Sequence, residues 1–273
     1  MPEPLHPTPY TDVNAVLHGF AAHLRAILGD HFRGMYLTGS LALGDFDPHT
    51  SDIDFIVLTD ATLSADLIEA LRNMHARFDT GDSAWAGKIE AVYIPPEALH
   101  PNSMSLVRCP QVEKERPLFI APLESGWIYH LYTLREHGVA MSGPPVRPLV
   151  DPLDPDDMRC AAAPIAEQWL EQARHDPTWV AWLHPRENQA FVVLTLCRLL
   201  YTLDSGSVAS KPAAARWAQQ ALGPRWATLI ARSLTKQHSS GETSESDRAD
   251  TIALVQYTVE RFQYWKQTLS PSR

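Results

Sequence analysis

The sequence predicts an α/β domain followed by an all-α domain, and three observations carry that expectation. Up to residue 94, segments of helical and strand periodicity alternate. A run rich in proline and aspartate, "PPVRPLVDPLDPDD" (144–157), then interrupts the pattern. Beyond it every periodic segment is helical. The boundary falls at 153/154, giving domains 1–153 and 154–273, with a ligand cleft expected between them.

Residues 1–10 are Pro-rich and read as an extended arm. From Asp12 onward Val16, Leu17, Phe20, Leu24, Ile27 and Leu28 recur at helical spacing, with Thr11 or Asp12 as the N-cap. "GMYLTG" is a short strand, "SLALG" a turn of helix, and "SDIDFIVLT" a second strand. Ser64 caps a helix carrying Leu67, Leu71, Met74 and Phe78, and "GKIEAVYIPP" is a third strand stopped by its prolines. The second domain is expected to hold helices over 158–174, 188–204, 210–222, 224–235 and 249–268, with a polar surface loop at 237–247.

Composition narrows the function classes. With 273 residues, 45% hydrophobic and 20% charged, the chain has the profile of a soluble globular protein. No apolar run reaches the length of a membrane span, and "MPEPLHPTPY" lacks the basic and apolar regions of a signal peptide. Cys109, Cys160 and Cys197 show no metal-ligand spacing, which suits a reducing cytoplasm. A net charge of -9 argues against nucleic acid as a partner and suits a cationic small molecule. A cytoplasmic monomer without membrane or nucleic-acid partners is expected.

The chemistry is concentrated in "YLTGSLALGDFDPHTSDIDFIVLTD" (36–60). Residues i and i+2 of a strand share a side, so Asp52 and Asp54 project together while Ile53, Phe55 and Val57 face a core. Two partly buried carboxylates repel each other, and a divalent cation resolves the cost. Mg²⁺ accepts one or two carboxylates together with phosphate oxygens and waters. Capping of turns at the mouth of the strand is the plain alternative. Upstream, Gly39-Ser40 at a strand-to-helix turn offers backbone N–H groups to an anion. A phosphate seat beside a metal seat describes a polyphosphate site.

The stretch "TGSLALGDFDPHTSDIDFIVL" resembles the Gly-Ser…Asp-x-Asp pattern of the nucleotidyltransferase superfamily. "LREHGVAMSGP", "FVVLTLCRLLYTLDSG" and "SKPAAARWA" resemble the streptomycin/spectinomycin, or (3'')(9) aminoglycoside, adenylyltransferases. The resemblance runs from about residue 30 to 235. It implies an α/β (α+β) nucleotidyltransferase domain with a mixed sheet, followed by an all-α helical bundle. It also implies transfer of AMP from ATP to an aminoglycoside-type hydroxyl with one or two Mg²⁺.

Glu90, in "KIEAVYI", matches the third carboxylate that a neighbouring strand supplies in that superfamily, as metal ligand, as base, or as both. Ser51, inside the same motif, is expected on the nucleotide with Gly39 and Ser40. Arg198 lies in a helix apolar nearly all round, where a charge needs a partner. A phosphate suits its planar fork, and a salt bridge to a carboxylate of the first domain is the alternative. Lys211 follows the N-cap Ser210, where a cation opposes the helix dipole; it either serves a ligand or swings into solvent. In the family, the lysine and arginine matching Lys211 and Arg198 contact the triphosphate.

The loop "DPTWVAWLHPRENQ" matches the acceptor-binding segment of the family and offers Trp179, Trp182, Glu187 and Asn188. The tryptophans have a plain core reading as well. Asn188 stands where characterised members carry an aspartate and His184 where the streptomycin-modifying members carry another; these departures weaken the match to streptomycin, and Glu187, one position away, offers a partial replacement of the charge. Two rival functions are a nucleotidyltransferase with a different small-molecule or protein acceptor, and a nucleotide sensor without catalysis.

Overall fold

The apolar stripe near the start forms helix α1 (Thr11–Leu28), which buries Val13, Leu17, Phe20, Leu24 and Leu28. This is seen in a computed structural model that describes residues 6–101, 107–114, 116–236 and 241–269. Tyr10, rather than Thr11 or Asp12, occupies the N-cap and makes no side-chain cap. Asp12 lies in the first turn and accepts a hydrogen bond from the Trp85 indole at 3.1 Å. Of the expected Pro-rich arm, residues 1–5 lie outside the described residues. The rest is tied down: the buried Asn14 amide donates to the Thr8 carbonyl at 2.8 Å, and the Thr8 hydroxyl donates to Asn14 Oδ1 at 2.7 Å.

The chain divides into two compact units, Met1–Leu153 and Asp154–Arg273. In the first, α1 is followed by β1 (Phe32–Leu37), α2 (Gly39–Leu43), β2 (Ile53–Thr59), α3 (Ala65–Asp79) and β3 (Ile89–Ile94). Then come β4 (Arg108–Glu113), β5 (Arg116–Pro122), α4 (Trp127–His137) and β6 (Val139–Ser142). The six strands make one sheet in the order β5-β4-β3-β2-β1-β6. β2 and β3 run parallel, joined by α3 as a crossover, and the other neighbours pair antiparallel, so the sheet is mixed. Leu17 and Leu24 of α1 and Leu71 and Met74 of α3 share a core with Met35, Phe55, Val57, Ala91 and Tyr93 of the strands. Ser64 caps α3, its hydroxyl accepting from the Leu67 N–H.

β4, β5, α4 and β6 lie in a segment that periodicity alone does not assign. Pro110, Pro117 and Pro122 fall within β4 and β5 and read locally as strand breakers. β6 has only four residues. Such strands are specified by the neighbours that pair with them, and so leave a weak local signal.

In the second unit α5 (Pro155–His175) starts inside the expected linker. Asp154 is its N-cap, accepting from the Asp156 N–H at 2.8 Å, and Pro155 stands in the first turn. A short α6 (Pro177–Trp182) leads to α7 (Arg186–Ser205), α8 (Lys211–Ala221), α9 (Pro224–Lys236) and α10 (Glu245–Leu269). α7 is the central helix, packed against α5, α8, α9 and α10. It buries Val192, Val193, Leu194, Leu196, Cys197, Leu199, Leu200 and Leu203, which accounts for its near-continuous apolar run. Gly206 ends it with φ 67, its N–H bonded to the Thr202 carbonyl. Of the loop expected at 237–247, residues 237–240 lie outside the described residues, and α10 begins at Glu245 within it. No described helix is long and apolar enough to cross a membrane, and the three cysteines are unpaired.

Candidate active site

β1 ends against β2, and the Thr38 N–H donates to the Asp54 carbonyl at 3.1 Å. The chain then turns through Gly39 at φ 58 into the five-residue α2 and leaves it through Gly44 at φ 77. Gly39 is required here on two counts. Its φ favours glycine, and an added Cβ would stand 2.0 Å from Asp54 Oδ2. The Asp54 carboxylate therefore rests directly on the Gly39 backbone. The gap left by the missing side chain is the space the carboxylate uses. α2 is too short for a strong macrodipole, so an anion at this turn would be met by individual N–H groups.

β2 positions the acid. Six of its seven residues are buried and Asp54 alone is not. In the parallel β2–β3 ladder Ile53 faces Ile89, Asp54 faces Glu90 and Phe55 faces Ala91. Ile53, Ile89, Phe55 and Ala91 are buried, whereas Asp54 and Glu90 are half-buried on the opposite face. Neighbouring strands lie about 4.8 Å apart, so the register makes these two carboxylates lateral neighbours. Asp52 stands one residue ahead of the strand and is also half-buried.

The approach to β2 is pinned as well. Phe46 packs between Tyr10, with centroids 4.9 Å apart, and Trp85, at 5.7 Å. The Tyr10 hydroxyl donates to the Phe46 carbonyl at 3.0 Å. In the turn that follows, Ser51 Oγ accepts from the Asp47 N–H at 3.0 Å and Asp47 Oδ1 accepts from the His49 N–H at 2.9 Å. The Ser51 hydroxyl thus has a part in closing the loop that delivers Asp52.

Among the described residues, no group of three or more His, Cys, Asp or Glu is gathered as a metal site. The residues present fit a hard cation as a carboxylate pair: Asp54 lies over the Gly39 gap with Glu90 beside it in register. Both offer oxygen donors, and Mg²⁺ binds to one or two carboxylates when substrate oxygens complete its shell.

In the second unit, α8 begins as its sequence suggests: Ser210 is the N-cap, its hydroxyl accepting from the Ala213 N–H at 3.1 Å, with Lys211 and Pro212 in the first turn. Arg198, half-buried on α7, donates from Nε to the Ala209 carbonyl at 3.1 Å, tying α7 to the start of α8. Of the four acceptor-loop residues, Trp179 is buried at 8% exposure and Trp182 is exposed at 41%. Glu187 is exposed. Asn188 donates to the Trp182 carbonyl at 2.9 Å.

Sequence reasoning missed Phe191. It sits one turn beyond Glu187 on α7, is 44% exposed, and has the Lys211 ammonium 4.7 Å from its ring centroid. Its chain neighbours Ala190, Val192 and Val193 are apolar and hid the signal, although Asn188 and Thr195, three and four residues away on the same helix face, are polar. The buried His75 bonds the Tyr93 hydroxyl at 2.7 Å, and burial pushes its imidazole down to about 4. It belongs to the core under the sheet, packed against Phe20 and Tyr93.

Comparison with known proteins bears on both units. Residues 24–94 match the family model of the nucleotidyltransferase domain, and residues 148–261 that of the aminoglycoside adenylyltransferase C-terminal domain. The chain is 26% identical over 251 residues to the aminoglycoside (3'') (9) adenylyltransferase of Escherichia coli, covering 89% of this chain and 90% of that protein. It is 27% identical over 233 residues to the protein of the same name from Rhizobium radiobacter, covering 82% of each. The spectinomycin adenyltransferase AAD(9) of Enterococcus faecialis, crystallised with ATP and spectinomycin, shares the fold with a TM-score of 0.67 at 17% identity. That likeness covers 93% of this chain and 99% of that one. With the nucleotidyltransferase domain matched across β1 to β3 and that C-terminal domain matched across its helices, the chain is a nucleotidyltransferase similar to the aminoglycoside adenylyltransferases.

Proposed function

We propose that this protein transfers AMP from ATP to a hydroxyl of an aminoglycoside-type antibiotic, spectinomycin and/or streptomycin, releases pyrophosphate, and so confers resistance. The observation that supports this reading most directly is the register pair Asp54–Glu90 beside Gly39. It sets a carboxylate pair against a turn of backbone donors, as phosphoryl chemistry needs. The relatives named above for acting on aminoglycosides supply the acceptor class.

Each residue has a task in this scheme. Asp54, with Asp52 and Glu90, would hold one or two Mg²⁺, whose positive charge offsets charge developing on the α-phosphoryl oxygens. The N–H groups at Gly39 and Ser40, with Ser51 in the turn before β2, orient the phosphates. Arg198 and Lys211 contact the triphosphate, Arg198 through its planar fork and Lys211 as a point charge. Glu90 accepts the proton of the acceptor hydroxyl as that oxygen attacks the α-phosphorus. Such general-base catalysis contributes about 10²–10⁴-fold. Pyrophosphate departs opposite the attacking oxygen. Trp182, Glu187 and Asn188 engage the acceptor, with Trp179 supporting them from the core. The net charge of -9 favours a cationic acceptor.

One observation favours a second reading, a different hydroxylated acceptor. Asn188 and His184 offer no carboxylate at positions where members of the family have aspartates, and the Asn188 amide is engaged by the Trp182 carbonyl. Pyrophosphate release from Mg-ATP, with spectinomycin and streptomycin offered separately, decides between them. Release with either drug supports the proposal. Release only with other hydroxyl compounds supports the second reading, and ATP binding without any release would leave a nucleotide sensor.

A further inference from the structure

Between Asn188 and Arg198, the residues of α7 that escape burial are Asn188, Phe191, Thr195 and Arg198. Their spacings of three, four and three place them on one face of the helix. Three of these are polar or charged, as a solvated stripe should be. Phe191 is the exception, a large apolar ring 44% exposed on a helix otherwise committed to the core.

The ring is held in a defined orientation. Trp182 meets it at 84° with centroids 6.4 Å apart, and Trp169 flanks it at 58° and 6.2 Å. The Lys211 ammonium stands over it, 4.7 Å from the centroid. Lys211 opens α8, where the helix N-terminus disfavours a cation. The negative face of an aromatic ring supplies the opposite preference. A lysine is also a long flexible tether, so a ring contact that narrows its positions reduces the entropy lost when it engages a ligand.

We propose that Phe191 is a positioning residue for the nucleotide: it holds the Lys211 ammonium on the stripe that also carries Arg198, so that the two cationic groups are presented together to the triphosphate. This role rests on the function proposed above. Phe191 acts through Lys211 and need not touch the substrate itself. Tyrosine at this position keeps the ring face and should keep the role, whereas leucine keeps the apolar bulk and loses it.

The test measures the ATP dissociation constant by calorimetry with Mg²⁺ and no acceptor, alongside steady-state kinetics. The chains compared are the unmodified protein, Phe191→Leu, Phe191→Tyr, Lys211→Met and the Phe191→Leu/Lys211→Met double variant. Phe191→Leu is expected to raise Kd and KM for ATP about three- to ten-fold, the range of a partly exposed cation–π contact. Its kcat and acceptor KM should stay within about two-fold, and Phe191→Tyr should restore ATP affinity. Adding Phe191→Leu to Lys211→Met should weaken ATP no further. The role is overturned if Phe191→Leu leaves ATP affinity unchanged, if it weakens ATP equally without Lys211, or if only the acceptor KM moves. Phe191→Met replaces the leucine variant should circular dichroism show that variant unfolded. An unmodified chain that binds no ATP would overturn this role together with the function it rests on.

Discussion

Asp54 and Glu90 are held by a hydrogen-bonded ladder, whereas Arg198 and Lys211 extend on long side chains from α7 and α8. In the first unit each carboxylate is one or two methylene groups from a backbone whose register is fixed by buried neighbours on the opposite face, Ile53, Phe55, Ile89 and Ala91. In the second, a carbonyl contact at Ala209 and a ring contact at Phe191 are among those that hold the two cationic side chains. Acids placed by a sheet have little freedom to adjust, while cations placed by side-chain contacts can. Substitutions in the first unit should therefore act steeply on kcat, and those in the second in graded fashion on nucleotide affinity.

The largest effect is expected at Glu90. Glu90→Gln preserves shape and removes the base, and should lower kcat by about 10²–10⁴-fold with little change in ATP affinity. Full activity in pyrophosphate release would break the comparison at its strongest point. The pH dependence of folding comes next. His75 has its folded-state pKa pushed from 6.5 down to about 4 by burial. The neutral ring therefore stabilises the fold fully above pH 6.5, and this contribution is lost as pH falls toward about 4. The interval corresponds to about 3 kcal/mol. Urea titrations at pH 7.5, 6, 5 and 4 should show stability falling, and a His75→Gln variant should show a flatter profile over that range.

Gly39→Ala sharpens the same contrast without touching a functional side chain. The added Cβ would stand 2.0 Å from Asp54 Oδ2, so the carboxylate must move, and a displacement near 1 Å costs about 10²-fold in rate. Gly29→Ala is its control. Gly29 also has a positive φ, but nothing lies within 4 Å of an added Cβ. It should lose about 1 kcal/mol of stability and no activity. In the second unit, Arg198→Met should raise KM for ATP about ten-fold with a smaller effect on kcat, the size of a charge-assisted hydrogen bond. Arg198→Lys should fail to rescue it, because an ammonium cannot both reach the Ala209 carbonyl and present a planar fork. A steep fall in kcat for Arg198→Met, matching Glu90→Gln, would show that the two units do not differ in the way described.

Much of the fold was legible locally. The 3.6-residue spacing in α1, α3, α5, α8, α9 and α10 and the short apolar runs of β1, β2 and β3 could be followed along the chain. The caps at Ser64 and Ser210 could be read residue by residue. The Asp-x-Asp pair and the Gly-Ser turn were visible because each is a short motif whose chemistry conflicts with its apolar setting. β4 and β5 were not visible, since their prolines look like breakers until the partner strand is known. Phe191 stayed hidden for the converse reason: it looks like core.

The amino-acid order alone determined that α1, α3 and the long helices of the second unit coil, that β1 to β3 extend, that Ser64 and Ser210 start α3 and α8, and that acids interrupt a hydrophobic strand, since all of these depend on residues within one or two turns. Tertiary structure decided what lies beside what. It set the β2–β3 register that makes Asp54 and Glu90 neighbours, the close approach that only Gly39 allows, and the burial of Trp179 with exposure of Phe191. A one-residue slip in that register would turn Glu90 to the other face without altering any local pattern. Pairing across the sheet is chosen by the packing of distant apolar residues, and no short stretch of the chain contains it.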